Sequence, residues 1–107
     1  MTLHRAARFA DVPERHGLEV QIAETKIVLL RFGDQIRAYQ GECPHAGAPL
    51  AEGAVCNGRL ICPWHKAAYR IEDGALCEPP SLDSLKRYPV EVRDDEVWVD
   101  DQALPDA

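Results

Sequence analysis

Aromatic side chains are scarce in this sequence, with two Trp, three Tyr and two Phe among 107 residues, so each matters individually to packing. Long apolar runs are absent. No stretch approaches the roughly 18 residues of a membrane span, and the opening MTLHRAARFADVP has no signal-peptide core. Those two absences lead us to expect a cytoplasmic protein. A basic excess is also lacking. Twelve Lys and Arg against eighteen Asp and Glu leave a formal charge of −6, which disfavours nucleic acid and anionic membranes, because binding phosphates needs a basic face. Internal repeats, low-complexity tracts and a linker within the body are missing too. One domain over residues 1–107 is expected. A chain of this size buries only about 60–65% of its unfolded surface, so its core is thin and an extra staple would help.

No window of a dozen residues keeps a 3.6-residue period, which leaves short strands and turns. Residues 18–22 (LEVQI) and 25–32 (TKIVLLRF) are rich in β-branched and apolar side chains. Gly33-Asp34 then marks a turn into the alternating QIRAYQ of 35–40, so 25–40 reads as a hairpin. Asn57-Gly58 precedes the strand 59–62 (RLIC), and 68–71 (AYRI) runs into the turn Glu72-Asp73-Gly74. Residues 86–93 and 96–100 flank Asp94-Asp95 as a last hairpin. The class is all-β, a sandwich or barrel of antiparallel sheets. Pro44, Gly47, Pro49 and Gly53 break this rhythm between 41 and 53, Glu78-Pro79-Pro80-Ser81 breaks it again, and a frayed tail is expected over 102–107.

Four cysteines in a cytoplasmic chain are poor candidates for structural disulfides. Two of them stand close to histidines, in Cys43-Pro44-His45 and Cys62-Pro63-Trp64-His65, with sixteen residues between His45 and Cys62. Each group offers one thiolate and one imidazole from a tight loop. The proline after each cysteine fixes φ and removes a backbone donor, limiting the loop's freedom before any metal arrives. Two Cys and two His also make a tetrahedral zinc set. Structural zinc sites more often pair Cys with Cys and His with His, whereas here each loop mixes them. Alternation suits a dinuclear centre with both thiolates on one iron and both imidazoles on the other.

C-x-H followed by C-x-x-H, within CPHAGAPLAEGAV…GRLICPWHKAAYRIEDGALCEPP and followed by YPVEV…VWV, closely resembles the Rieske family. The resemblance implies a Rieske-like fold whose cluster-binding part, about 41–81, comprises two loops and a covering proline loop containing Pro79 and Pro80. It implies one [2Fe–2S] cluster, with Cys43 and Cys62 on the buried iron and His45 and His65 on the outer, reducible one. High-potential members link the two loops by a disulfide and set a serine against a bridging sulfide. Ala48 and Trp64 occupy the disulfide positions here and Ala67 the serine position, so the resemblance implies a potential in the lower part of the family range, near about −150 mV. Tyr69 matches a tyrosine that bonds a ligand sulfur and would push the potential upward. Trp64 is expected to shield the cluster. Lys66 stands where glycine is common and lies near the exposed imidazole end. Cys56 and Cys77 read as packing or incidental residues, with free thiols the alternative, His4 and His16 as surface residues, and Trp98 as core.

The resemblance further implies an electron carrier rather than a catalyst. It would relay single electrons from a flavoprotein reductase to a terminal oxygenase, docking at the His45/His65 end. The run PPSLDSLKRYPVEV is also similar to the Rieske domain of flavoproteins resembling apoptosis-inducing factor, which makes a domain or subunit of such an oxidoreductase the alternative. A terminal oxygenase would need a further iron held by two His and a carboxylate, and only His4 and His16 remain for it. A zinc-bound structural module would be colourless and redox-silent.

Overall fold

Ile27, Val28, Leu29 and Leu30 are four consecutive residues with essentially no exposed surface, and the fold is arranged around them. The computed structural model describes residues 3–14, 16–42, 47–63, 68–72, 74 and 85–104. Its strands are β1 (Leu3–Arg8), β2 (Leu18–Ile22), β3 (Thr25–Phe32), β4 (Gln35–Gln40), β5 (Ala54–Cys56), β6 (Arg59–Ile61), β7 (Ala68–Arg70), β8 (Arg87–Tyr88), β9 (Val90–Arg93) and β10 (Glu96–Asp100). Short 3₁₀ turns occupy Phe9–Asp11 and Leu50–Glu52. The strands form three antiparallel sheets in the orders β1-β10-β9, β2-β3-β4-β8 and β5-β6-β7, which bears out the all-β class.

Side chains alternate across a strand, so β3 can be buried throughout only if both its faces are covered. Ile27 and Leu29 pack with Ile36, Ala38, Val97 and Val99 beneath the sheet of β1, β10 and β9. Val28 and Leu30 pack on the other face with Tyr39, Leu50, Leu60, Cys62, Tyr69 and Ile71, beneath the small sheet of β5–β7. The molecule is thus three layers with two cores, and the four-stranded sheet is the middle layer.

The hairpin turns obey their sequence signals. Asn57 and Gly58 both have positive φ, 52° and 74°, the conformation of a two-residue primed turn. Asp94 and Asp95 adopt the same region without a glycine, at 49° and 64°; a short polar side chain tolerates it.

Four expectations are revised. Residues 86–93 are not one strand. Pro89 has no N–H to give to a ladder; its carbonyl accepts from Asp100 N at 3.0 Å, and the chain changes sheets there, β8 pairing with β4 and β9 with β10. Residues 3–8, unassigned from sequence, form the strand β1 against β10. The 3₁₀ turn after it is held by Arg31, whose guanidinium donates to Val12 O at 2.6 Å and Phe9 O at 2.8 Å and lies 4.4 Å from the Phe9 ring centroid. Trp98 is only half-buried, because Val97 and Val99 take the inward positions of β10 and alternation turns residue 98 away from them. Finally, residues 102–104 are tied down, since Gln102 N donates to Asp100 Oδ1 at 2.9 Å and Leu104 N to Arg87 O at 2.7 Å.

Gly53 has ordinary backbone angles, φ −73° and ψ 165°, yet a Cβ there would collide with the carbonyl oxygen of Ile61. Gly53→Ala is therefore expected to lower stability by about 1–3 kcal/mol, the range for overpacking. Denaturant unfolding should show a lower midpoint with an unchanged slope.

Candidate metal centre

The first sequence loop leaves β4 at Gln40. Gly41 N donates to Lys26 O at 2.8 Å, and a Cβ at Gly41 would stand 2.9 Å from the Lys26 carbonyl carbon, so the chain can hug β3 only as glycine. The return is fixed by Leu50 N donating to Gly41 O at 2.9 Å and by an antiparallel bridge between Glu42 and Pro49. Cys43, Pro44 and His45 fall between these closing pairs. They lie outside the described residues.

The second loop has its stem at the pair Ile61 and Ala68. Cys62, the residue after β6, is fully buried and is in no disulfide. Leu60 pairs with Tyr69, so Leu60, Cys62 and Tyr69 share the inward face of the small sheet. Tyr69 is also fully buried. Trp64, His65, Lys66 and Ala67 lie outside the described residues.

A third stem closes residues 75–84. Gly74 N donates to Arg70 O at 2.7 Å, and Leu85 N to Gly74 O at 3.0 Å. Gly74 has φ +76°, and a Cβ there would lie 2.7 Å from Tyr39 Cε1. Cys77, Pro79 and Pro80 belong to this stretch and lie outside the described residues.

The three stems are tied to one another. Gln40 donates from Nε2 to Glu42 O at 2.8 Å and accepts at Oε1 from Lys86 N at 2.8 Å, linking the first stem to the third. Gly53 sits against Ile61 O, linking the first to the second. The Tyr39 hydroxyl donates to Ile71 O in the buried core. Ala48, Leu50, Cys62, Tyr69, Ile71 and Leu85, drawn from all three stems, share a single core cluster. The sequence had singled out Tyr69 and Cys62. It gave no sign of Tyr39, Gln40 or Gly53 as ties, because QIRAYQ reads as an ordinary alternating strand.

The donor chemistry fits a metal centre at this junction. A buried thiol with no disulfide partner, projecting from a stem that two other stems meet, is well placed to act as a soft ligand in a dry setting. Ala48, one of the two positions that the family's disulfide would use, is itself fully buried. Elsewhere, no group of three or more His, Cys, Asp or Glu among the described residues is placed to hold a metal ion. Cys56 is an exposed free thiol, incidental to packing; it shares the outward face of β5 with Ala54, while Val55 turns inward. His16 is exposed, as expected, whereas His4 is half-buried, with Nε2 3.1 Å from Asp101 Oδ2. Perturbed titrating groups lie away from the stems: burial raises the Tyr88 phenol, and the Arg93 guanidinium, donating to both carboxylate oxygens, holds Glu91 below the usual carboxylate range.

Known proteins share this sequence and architecture. Human apoptosis-inducing factor 3 is 38% identical over 89 residues, 83% of this chain, and the chain spans only 15% of that protein's length. The 3-phenylpropionate/cinnamic acid dioxygenase ferredoxin subunit of Escherichia coli strain K12 is 34% identical over 104 residues, covering 95% of this chain and 93% of the subunit. Among solved structures, a chain from a complex of reduced oxygenase and oxidized ferredoxin in carbazole 1,9a-dioxygenase superposes with a TM-score of 0.89 at 25% identity, covering 97% of both chains. Residues 2–89 match the family of the Rieske [2Fe-2S] domain. The chain therefore belongs to the Rieske [2Fe–2S] domain family.

Proposed function

We propose that this chain is a one-electron carrier whose single Rieske-type cluster is held by Cys43, His45, Cys62 and His65. The family's cofactor is one [2Fe–2S] cluster, which takes up and gives back one electron. The observation that carries the assignment of ligands is the convergence of three backbone-closed stems on the core that contains Cys62. Cys62 is buried and would supply its thiolate, and Tyr69, buried on the same inward face, would offer its hydroxyl to a ligand sulfur. Fixed stems keep ligand movement small between oxidation states, which keeps the reorganisation cost of electron transfer low. In this reading Trp64 and the Pro79-Pro80 stretch would shield the cluster, and Lys66 would tune it.

The carrier works in the cytoplasm between a flavoprotein reductase and a terminal oxygenase, both approaching the His45/His65 end. Similarity over nearly the full length of a dioxygenase ferredoxin subunit supports this reading. No helix among the described residues is long and apolar enough to cross a membrane. The site is one domain over residues 1–107, with the cluster part at about 41–81. A second reading, the Rieske domain of a flavin-dependent oxidoreductase, is favoured by the 38% identity to apoptosis-inducing factor 3. Neighbouring genes separate the two: an aromatic-ring oxygenase beside this gene favours the carrier.

Anaerobically purified protein should contain iron and acid-labile sulfide in equal amounts, with a paramagnetic signal in the reduced state. His65→Cys should abolish or convert that signal. Zinc alone, or neither iron nor sulfide, would refute the function.

Tyr69→Phe should lower the reduction potential. A hydrogen bond to sulfur strengthens when the cluster gains negative charge, so losing it disfavours reduction. A differential bond strength of about 1 kcal/mol corresponds to about 40 mV for a one-electron couple. Voltammetry of the two proteins makes the comparison, and an unchanged potential removes Tyr69 from the tuning set.

A further inference from the structure

Arg37 and Tyr39 stand two residues apart on β4 and so share one face of it. Their polar ends reach consecutive carbonyls at the exit of β7: the Tyr39 hydroxyl donates to Ile71 O, and Arg37 Nε donates to Glu72 O at 2.9 Å. The Arg37 guanidinium is also 5.5 Å from the Phe32 ring centroid, which steadies its direction. Between these carbonyls and residue 75 lie Asp73 and the Gly74 stem, whose α-carbon faces the Tyr39 ring. From the other side, Ile71 N donates to Gly58 O at 2.9 Å. The segment that leaves β7 is therefore gripped at two successive peptide units by the middle sheet.

We propose that Arg37 and Tyr39 act as a two-point clamp, positioning residues that set the reduction potential of the redox site through the segment they hold. The inference rests on the electron-carrier reading and goes beyond it. Ile71 follows Tyr69 by two residues on the same inward face, and both share a core cluster with Cys62 and Tyr39. Tyr69 is itself held opposite Leu60 by the β6–β7 ladder, so holding the Ile71 carbonyl fixes where the chain turns away after β7 and closes that end of the core to water. Holding Glu72 fixes the Gly74–Leu85 stem, from which the proline-rich stretch departs. Ile71 is 2% exposed, so its carbonyl has no ready replacement in water. Without the Tyr39 hydroxyl that carbonyl must stay orphaned or move toward solvent, and an orphaned buried acceptor costs its full desolvation. Movement admits water.

The direction of the effect follows from charge. A diferric core with two bridging sulfides carries two positive charges, balanced by the two thiolates; taking up one electron leaves one net negative charge. Water stabilises the charged, reduced state more than the neutral, oxidised one. Loosening the clamp therefore raises the potential.

The test begins with iron and sulfide analysis of the parent, whose failure would refute the carrier reading and not the clamp. Tyr39→Phe, which removes one oxygen, is then compared with the parent by redox titration of the reduced-state signal and by hydrogen exchange at the Gly74 and Leu85 amides. The clamp requires a higher potential together with several-fold faster exchange at both amides. Tyr88→Phe, which removes a phenol hydroxyl from the opposite core, should leave both readings at parent values. Should Tyr39→Phe fail to fold, Arg37→Gln carries the same two measurements and the same expected directions. A cluster-loaded variant with the parent's potential overturns the proposal, even if exchange at the stem quickens.

Discussion

The structure depends on how β4 ends. A pair of loops can bring four ligands to one small target only if the loop ends are fixed beforehand, because ordering each free residue costs about 1–2 kcal/mol of backbone entropy. Here the fixing comes from hydrogen bonds at the stems, and Tyr39, Gln40 and the following Gly41 take part in several of them. Gly41 exchanges bonds with Lys26 and Leu50, Gln40 joins the first stem to Lys86, and Tyr39 reaches the end of β7. Each tie uses a different face or end of the same strand. The middle sheet thereby acts as a frame, and the small sheet and the stems are referred to it.

Two separate cores make this division of labour workable. The core under β1, β9 and β10 is aliphatic apart from Tyr88 and Phe9 and contains none of the loop stems. The other contains Cys62, Tyr39 and Tyr69. Because β3 is buried on both faces, the first core stabilises the frame without demanding anything of the second. A substitution among Val97, Val99 and Leu29 should act on stability, whereas one among Tyr39, Tyr69 and Leu60 acts on the geometry around a ligand. Gly53 is the exception, since its close approach to Ile61 serves both.

Most strands were legible because their signals are local: β-branched runs for β2 and β3, Asn57-Gly58 and Asp94-Asp95 for turns, and alternation for β4. The two Cys-His pairs stood out for a similar reason, as ordinary strand and turn chemistry does not place Cys and His together at such short spacing twice over. What escaped was non-local. LHRAAR lacks a strand's composition and becomes β1 only because β10 offers it an edge. In sequence, 86–93 reads as one strand straight through Pro89, and only the pairing shows that this residue hands the chain from one sheet to another. Tyr39 and Gln40 resemble any alternating strand residues; their partners lie 32 and 46 positions away along the chain, which no spacing rule reaches.

The same geometry explains why one domain suits both a free-standing carrier and a part of a larger flavoprotein. Leu3 pairs with Asp100, so the described chain begins in the sheet of β1, β9 and β10, while Leu104 at its other end is bonded to Arg87 of β8. That sheet covers the face of the middle layer opposite to the one that packs against β5–β7 and the loop stems. A covalent neighbour attached before Leu3 would begin from the far layer, leaving the loop side free to face a redox partner. Fusion and independence would then differ in the effective concentration of the partner rather than in the site. A potential set by the surroundings of Cys62 and Tyr69 would be the same in either arrangement, because the frame that fixes those surroundings lies wholly within this domain.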